Sequence, residues 1–160
     1  MIRVAILTVS DSCSRGERED VSGRTIAELL PGDRFAVNER CIVTDDRDAI
    51  VDELAKWADE NEVDLVLTTG GTGFGPRDVT PEATASVCER MVPGLGELVR
   101  MKGYRKTPNA VLSRAVAGIR GSTLVVNLPG SPRAVRECLE LLLPVLPHAV
   151  EMLRGGGHAS

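Results

Sequence analysis

Residues 68 to 82 read TTGGTGFGPRDVTPE and place Gly70, Gly71, Gly73 and Gly75 within six positions, followed by Arg77, Asp78 and Thr80-Pro81-Glu82. Glycine lets successive backbone N–H groups converge on phosphate oxygens with no Cβ in the way. A two-residue hairpin turn needs one or two glycines, not four, and has no use for the Pro76-Arg77-Asp78 that follows. The stretch fits neither the Walker pattern nor the dinucleotide fingerprint, so the two standard nucleotide signatures fail. A phosphate cradle is the reading that uses all of these residues; a plain glycine turn is its competitor.

Two acids can supply hard oxygen ligands. Asp45 and Asp78 are candidate ligands for Mg²⁺, which bridges protein carboxylates to substrate phosphates. Each has a structural alternative. Asp45 can cap a helix, a task for which Asp46 competes, and Asp78 can bond within its loop or pair with Arg77. Asp11 is either a third acid of the site or a turn residue. Phe74 either packs locally, the favoured reading, or flanks a ligand ring. Arg15, Arg18, Lys102, Arg105 and Lys106 read mainly as solvated surface. The four cysteines (Cys13, Cys41, Cys88, Cys138) lack metal-ligand spacing and read as small apolar side chains, with Cys13 set apart by its polar loop. A structural zinc site is not expected, because the two histidines, His148 and His158, both lie near the end.

The elements that would position these residues follow from periodicity. Residues 2–9 (IRVAILTV), 35–43 (FAVNERCIV) and 63–69 (VDLVLTT) are short, β-branched apolar runs and predict strands. AVAGI and STLVVNL predict two more strands, joined at Arg120-Gly121. SGRTIAELL predicts a short helix, and Ile50, Val51, Leu54, Ala55 and Ala58 form one face of another. Thr80 is expected to cap, and Pro81 to open, a helix to about Arg90. A helix is expected over 94–103. A last helical stretch runs from Ser131, broken near Leu143 by Pro144 and Pro147. Strands alternating with helices predict one α/β domain, a three-layer sandwich around a mostly parallel sheet, over residues 1–154 with a loose tail at 155–160. In such sheets ligands bind beyond the carboxyl ends of the strands. Four polar loops leave those ends: Ser10-Asp11-Ser12, Thr44-Asp45-Asp46, the glycine loop, and Asn127 to Pro132.

Composition removes other classes. A net charge of −4 and four aromatic residues disfavour a broad nucleic-acid surface. No apolar run approaches the roughly 20 residues of a membrane span. MIRVAILTVSDS lacks the features of a signal peptide, which makes the cytoplasm the expected location.

TTGGTGFGPRDVTPEAT, with TVSDSCSRG, LSRAVAGIRGSTLVVNLPGSP and the carboxyl-terminal helix, closely resembles the molybdopterin adenylyltransferase family, which includes MogA, MoaB and the gephyrin G domain. The resemblance runs from Arg3 to about Leu153. It implies the MogA/MoaB-like fold and assembly as a homotrimer, with a hexamer as the alternative. It also implies Mg²⁺- and ATP-dependent transfer of AMP to the terminal phosphate of molybdopterin, releasing pyrophosphate, with a molybdenum-insertion protein downstream. A non-catalytic, pterin-binding relative is the alternative, disfavoured by the intact Arg77, Asp78 and DVTPE. By the same resemblance, Gly70, Gly71, Thr72, Gly73, Gly75 and Arg77 hold the nucleotide phosphates, and Asp78 is catalytic. Asp45 matches the acid after the second strand, where relatives often carry Pro-Asp-Glu. Here the triplet is Thr44-Asp45-Asp46, which leaves the choice of acid open. Asp45 and Asp78 would hold Mg²⁺. Ser10, Asp11, Ser113, Asn127, Pro129, Gly130 and Ser131 are assigned to the pterin pocket.

Overall fold

A computed structural model describes residues 1–60 and 62–156. Strand β1 (Ile2–Val9) is followed by a one-turn helix α1 (Asp11–Ser14), α2 (Val21–Leu29), β2 (Phe35–Val43) and α3 (Arg47–Glu60). Then come β3 (Leu65–Thr69), α4 (Thr80–Val87), β4 (Arg90–Met91) and α5 (Pro93–Tyr104). A 3-10 turn at Pro108–Leu112, β5 (Ala117–Arg120), β6 (Thr123–Leu128), α6 (Pro132–Leu142) and α7 (Leu146–Leu153) complete the chain.

The six strands form one sheet in the order β2-β1-β3-β6-β5-β4. The first four are parallel; β5 runs antiparallel to β6, and β4, antiparallel to β5, returns to the direction of the first four. Alternate strand residues feed opposite layers, as the two-residue period of a strand demands. Val4, Ile6, Leu65, Leu67, Leu124 and Val126 pack with α2, α5, α6 and α7 through Ile26, Val99, Leu139 and Val150. Ala5, Leu7, Val66 and Val125 face α3 and α4 through Ile50, Leu54, Trp57 and Val87. The three-layer α/β sandwich expected from the sequence is therefore present. Among the described residues, no helix is long and apolar enough to cross a membrane.

Three local expectations differ. The helix from Thr80 stops at Val87, because Cys88 turns extended and Glu89 N–H bonds to Ile119 O at 2.8 Å. Arg90 and Met91 then pair with β5 as a two-residue edge strand, too short to show any periodicity. Thr80 does not cap its helix. The N-cap position is Val79, without a side-chain bond, and the Thr80 hydroxyl instead donates to Gly70 O at 2.9 Å. At the end, Gly155 adopts φ +84° and its N–H bonds to Met152 O, while Gly156 N–H bonds to Glu151 O, both at 3.0 Å. This is a glycine helix stop, so the first two residues of the expected tail terminate α7; residues 157–160 lie outside those described. The break around Pro144 is present, and Pro147 falls harmlessly in the first turn of α7.

From β1 the chain first goes to β2 on one side and later to β3 on the other. That reversal opens a crevice between the loops leaving β1 and β3, where parallel sheets bind ligands.

Candidate functional site

The loops after β1 and β2 are locked together by two acids. Asp11 N–H donates to Asp45 Oδ2 at 2.8 Å, and Asp45 N–H donates to Asp11 Oδ1 at 2.9 Å. Asp45 therefore does not cap α3. Asp46 stands there instead, its carbonyl accepting from Ile50 N–H at 3.2 Å and its carboxylate accepting from the Thr44 hydroxyl. Burial pushes the Asp45 carboxyl above its usual range, against the pull of the Asp11 N–H, and nearby Asp11 and Asp78 add to the rise. Asp11 is held below its usual range by hydrogen bonds from Arg77 and from the Asp45 N–H.

Arg77 is committed to these acids. Its Nε and Nη2 meet Asp11 Oδ2 and Oδ1 at 3.0 and 2.9 Å, and Nη1 meets Asp46 Oδ1 at 3.0 Å. Fork-shaped donors favour paired carboxylate oxygens, and the guanidinium sits on Asp11 rather than over the glycines. Asp78 folds back on its own loop, its Oδ2 accepting from Gly75 N–H at 2.9 Å. Phe74, expected to pack locally, is 71% exposed.

The glycine loop leaves β3 beside the end of β1. Gly70 has φ +100°, and a Cβ there would collide with the Val9 carbonyl, so only glycine fits. Four consecutive carbonyls of the loop are claimed by Thr80 and Arg114. Gly70 O accepts from the Thr80 hydroxyl at 2.9 Å, Gly71 O from Thr80 N–H at 3.1 Å, Thr72 O from Arg114 N–H at 3.0 Å and Gly73 O from Arg114 Nε at 2.8 Å. In a trans peptide the next N–H points opposite to its carbonyl. The N–H groups of Gly71, Thr72, Gly73 and Phe74 thus point away from Thr80 and Arg114, and none makes a hydrogen bond among the described residues. Successive backbone donors left unpaired are what an anion nest is built from.

Two cavities meet at this loop. The first, about 560 Å³, is bordered by Ser10, Asp11, Cys13, Asp45, Gly70, Gly71 and Gly130, with Arg15 and Arg18 at its wall. The second, about 400 Å³, is bordered by Thr72, Gly73, Ser113, Pro129 and Arg133. Ser131 borders both and caps α6, its hydroxyl accepting from Ala134 N–H at 3.2 Å. The residues assigned to the pterin pocket are therefore divided. Ser10, Asp11 and Gly130 line the first cavity and Ser113 and Pro129 the second. Asn127 lines neither, being 3% exposed and bonded to Thr68, Thr84 and Val116. Gly75, Arg77 and Asp78 stand at the outer bend of the loop, outside both linings.

Sequence reasoning passed over several residues that build the site. Arg114 also reaches Asp78 O at 2.7 Å and pairs with Glu82. Ser22 donates to Gly130 O at 2.6 Å and Thr69 to Pro129 O at 2.7 Å, fixing the loop after β6. Asp20 caps α2 and accepts from Thr8 at 2.7 Å. Arg114 adjoins Ser113 in LSRAVAG and Thr80 stands where a helix cap is expected, so neither shows in sequence as a support of the glycine loop.

The donor set suits a hard cation. Among the described residues Asp45 Oδ1 and Asp78 Oδ1 carry no hydrogen bond, and no group of three or more His, Cys, Asp or Glu forms a ready cage. One or two carboxylates completed by water and substrate phosphate are the usual surroundings of Mg²⁺.

Comparison with known proteins identifies the family. Residues 5–148 match a family model described as "probable molybdopterin binding domain". A molybdopterin adenylyltransferase of Helicobacter pylori J99 is 47% identical over 158 residues, covering 96% of this chain and 89% of that protein. The crystal structure of the molybdopterin biosynthesis enzyme MoaB from Thermus thermophilus superposes with a TM-score of 0.92 at 55% identity, covering 97% of this chain and 98% of that one. The Mog protein of Mycobacterium ulcerans gives a TM-score of 0.89 at 39% identity, with 96% and 99% coverage.

Proposed function

The chain belongs to the molybdopterin-binding family, and from that premise we propose that it is a molybdopterin adenylyltransferase acting in molybdenum cofactor biosynthesis. The observation that carries the reading is the row of unpaired N–H groups from Gly71 to Phe74 at the junction of the two cavities. Substrates seated one in each cavity bring their phosphates together over these donors. The terminal phosphate oxygen of the pterin forms a bond to the α-phosphorus of ATP, and the bond to the β-phosphate breaks to release pyrophosphate. The nucleophile belongs to the substrate, so the protein needs no serine, cysteine or histidine nucleophile. Its task is to align two polyanions and to offset their repulsion.

The chain's own groups divide that task. The loop N–H groups hold phosphate oxygens without reorganising, because Thr80 and Arg114 already occupy the carbonyls. Asp45 and Asp78 would hold Mg²⁺, which when bound neutralises phosphate charge. Arg77 joins the phosphates only by exchanging Asp11 and Asp46 for them. A trimeric assembly and a cytoplasmic location belong to the same proposal.

The test is incubation with molybdopterin and Mg-ATP, followed by detection of adenylylated pterin and pyrophosphate. Asp78→Ala removes only a bond to Gly75 N–H, so it is expected to fold and to lose most transfer. Near-normal turnover in folded Asp78→Ala would remove Asp78 from the mechanism. Pterin binding without product would instead make the protein a binding module.

A further inference from the structure

We infer that Thr80 and Arg114 are the positioning residues of the anion cradle: they aim the N–H groups of Gly71 to Phe74 by holding the four carbonyls behind them. The inference rests on the reading of the glycine loop as a phosphate site. Glycines permit the loop's path but do not choose it, since their φ and ψ are the least restricted in the chain. Direction has to come from whatever holds the peptide planes.

Two residues do so. Thr80 is fully buried and spends both its hydroxyl and its N–H on Gly70 O and Gly71 O. A threonine at a helix start would ordinarily turn its hydroxyl to its own helix; here α4 has no side-chain cap. Arg114 takes Thr72 O with its backbone and Gly73 O with Nε, then ties Asp78 O and Glu82 with the remaining nitrogens. It therefore grips both limbs of the loop and its link to α4. Arg114 is itself held from behind, because Arg100 Nη1 donates to Ala115 O at 2.7 Å and to Ser113 O at 3.3 Å. Neither Thr80 nor Arg114 is placed to touch the reacting atoms, as their polar groups are spent on the loop and on Glu82.

The peptide geometry makes the consequence specific. Freed from the Thr80 hydroxyl or the Arg114 fork, the Gly70–Gly71 or Gly73–Phe74 peptide can flip and present a carbonyl oxygen where the anion needs a donor. Thr80→Val keeps the buried shape and removes the hydroxyl. Thr80→Ser restores it. Arg114→Met keeps the aliphatic stem without the fork, and Arg114→Lys offers one ammonium for three acceptors.

The experiment titrates full-length protein with inorganic pyrophosphate by calorimetry. In parallel, the amide resonances of Gly71, Thr72, Gly73 and Phe74 are followed by NMR, and circular dichroism monitors the fold. Thr80→Val and Arg114→Met are expected to weaken pyrophosphate binding by ~10-fold or more, since misplaced donors typically cost on that order. The four amide shifts on titration are expected to shrink in both. Thr80→Ser should stay within about 2-fold of wild type, and Arg114→Lys should fall between wild type and Arg114→Met. Arg114 is partly exposed and lies outside the core, so Arg114→Met tests the idea even if Thr80→Val does not fold. Unchanged affinity and unchanged amide shifts in folded Arg114→Met would overturn the inference, as would a wild-type protein whose four amides ignore pyrophosphate. Wild type that binds pyrophosphate through these amides yet transfers no AMP would defeat the adenylyltransferase reading and leave this one standing.

Discussion

Asn127→Ala distinguishes a support from a ligand contact. The Asn127 amide donates to Thr68 Oγ1 at 3.0 Å and Thr84 Oγ1 at 2.9 Å, while its Oδ1 accepts from Val116 N–H at 3.2 Å. These bonds join β3, α4, β6 and the segment entering β5, directly beneath the glycine loop. Thr68 and Thr84 are fully buried, so water cannot replace what the amide supplied. Each buried polar group left unsatisfied costs about 1–3 kcal/mol. The hydroxyls can still donate elsewhere, so the Val116 N–H and one weakened threonine are the main losses, together about 2–4 kcal/mol. At roughly 2–4 °C per kcal/mol for a domain of this size, the Tm should fall by about 4–16 °C. Calorimetric or dichroism melts would measure it. Asn127 borders neither cavity, so at a temperature where the variant is folded its KM values should lie within about 2-fold of wild type. An unchanged Tm with a strongly raised pterin KM would refute the reasoning and return Asn127 to the pterin pocket.

Three further substitutions probe the rim and the opposite end of the sheet. Gly70→Ala combines φ +100° with a Cβ driven into the Val9 carbonyl, whereas a Cβ on Gly130 meets only Gly70 Cα at 3.5 Å. Urea unfolding should therefore show a loss of about 2–4 kcal/mol for Gly70→Ala and within about 0.5 kcal/mol of no change for Gly130→Ala; equal effects would contradict the close-approach argument. At the amino ends of the strands, Asp64 has a side chain 7% exposed and accepts from Arg3 N–H at 2.8 Å and Arg154 Nη2 at 2.7 Å. Burial raises its pKa, but the hydrogen bonds from Arg3 and Arg154 more than offset this, and the net shift is downward. A depressed folded pKa gives stability that is present above the unfolded value and lost as pH falls through the folded one. Asp64→Asn should thus cost about 1–3 kcal/mol at neutral pH, with the Tm gap to wild type closing in acid. A gap independent of pH would show that the charge is not what Asp64 contributes.

The fold was legible because its signals are local and repeated. IRVAILTV and VDLVLTT show short apolar runs, and their alternate residues do serve opposite layers. The Pro144-Pro147 pair marked a helix break that is present. Arg90-Met91 was invisible because a two-residue strand has no period, and its existence depends on β5, more than twenty residues later. The candidate site was legible in its loops and less so in its side chains. Asp11 and Asp45 emerged as acids at strand ends, and the structure joins them. What could not be read was which polar residues face inward. The hydroxyls of Thr68, Thr69, Thr80 and Thr84 look, in sequence, like β-branched strand formers and a helix cap. They are buried, and they bond Asn127 and the carbonyls of Pro129 and Gly70.

That burial carries an argument about how the motif is distributed. An anion cradle needs backbone donors left unpaired, and an unpaired N–H row is stable only where the anion or water can reach it. The carbonyls on the other side of the same peptides are paired within the protein. In this chain the pairing comes from Thr80, ten positions past Gly70, and from Arg114, forty-one positions past Gly73. The four glycines make the row sterically permissible, and the distant threonine and arginine give it a direction. A glycine-rich loop transplanted without them would keep its flexibility and lose its aim. TTGGTGFG is therefore half of the site's specification, and Thr80 with Arg114 supplies the other half.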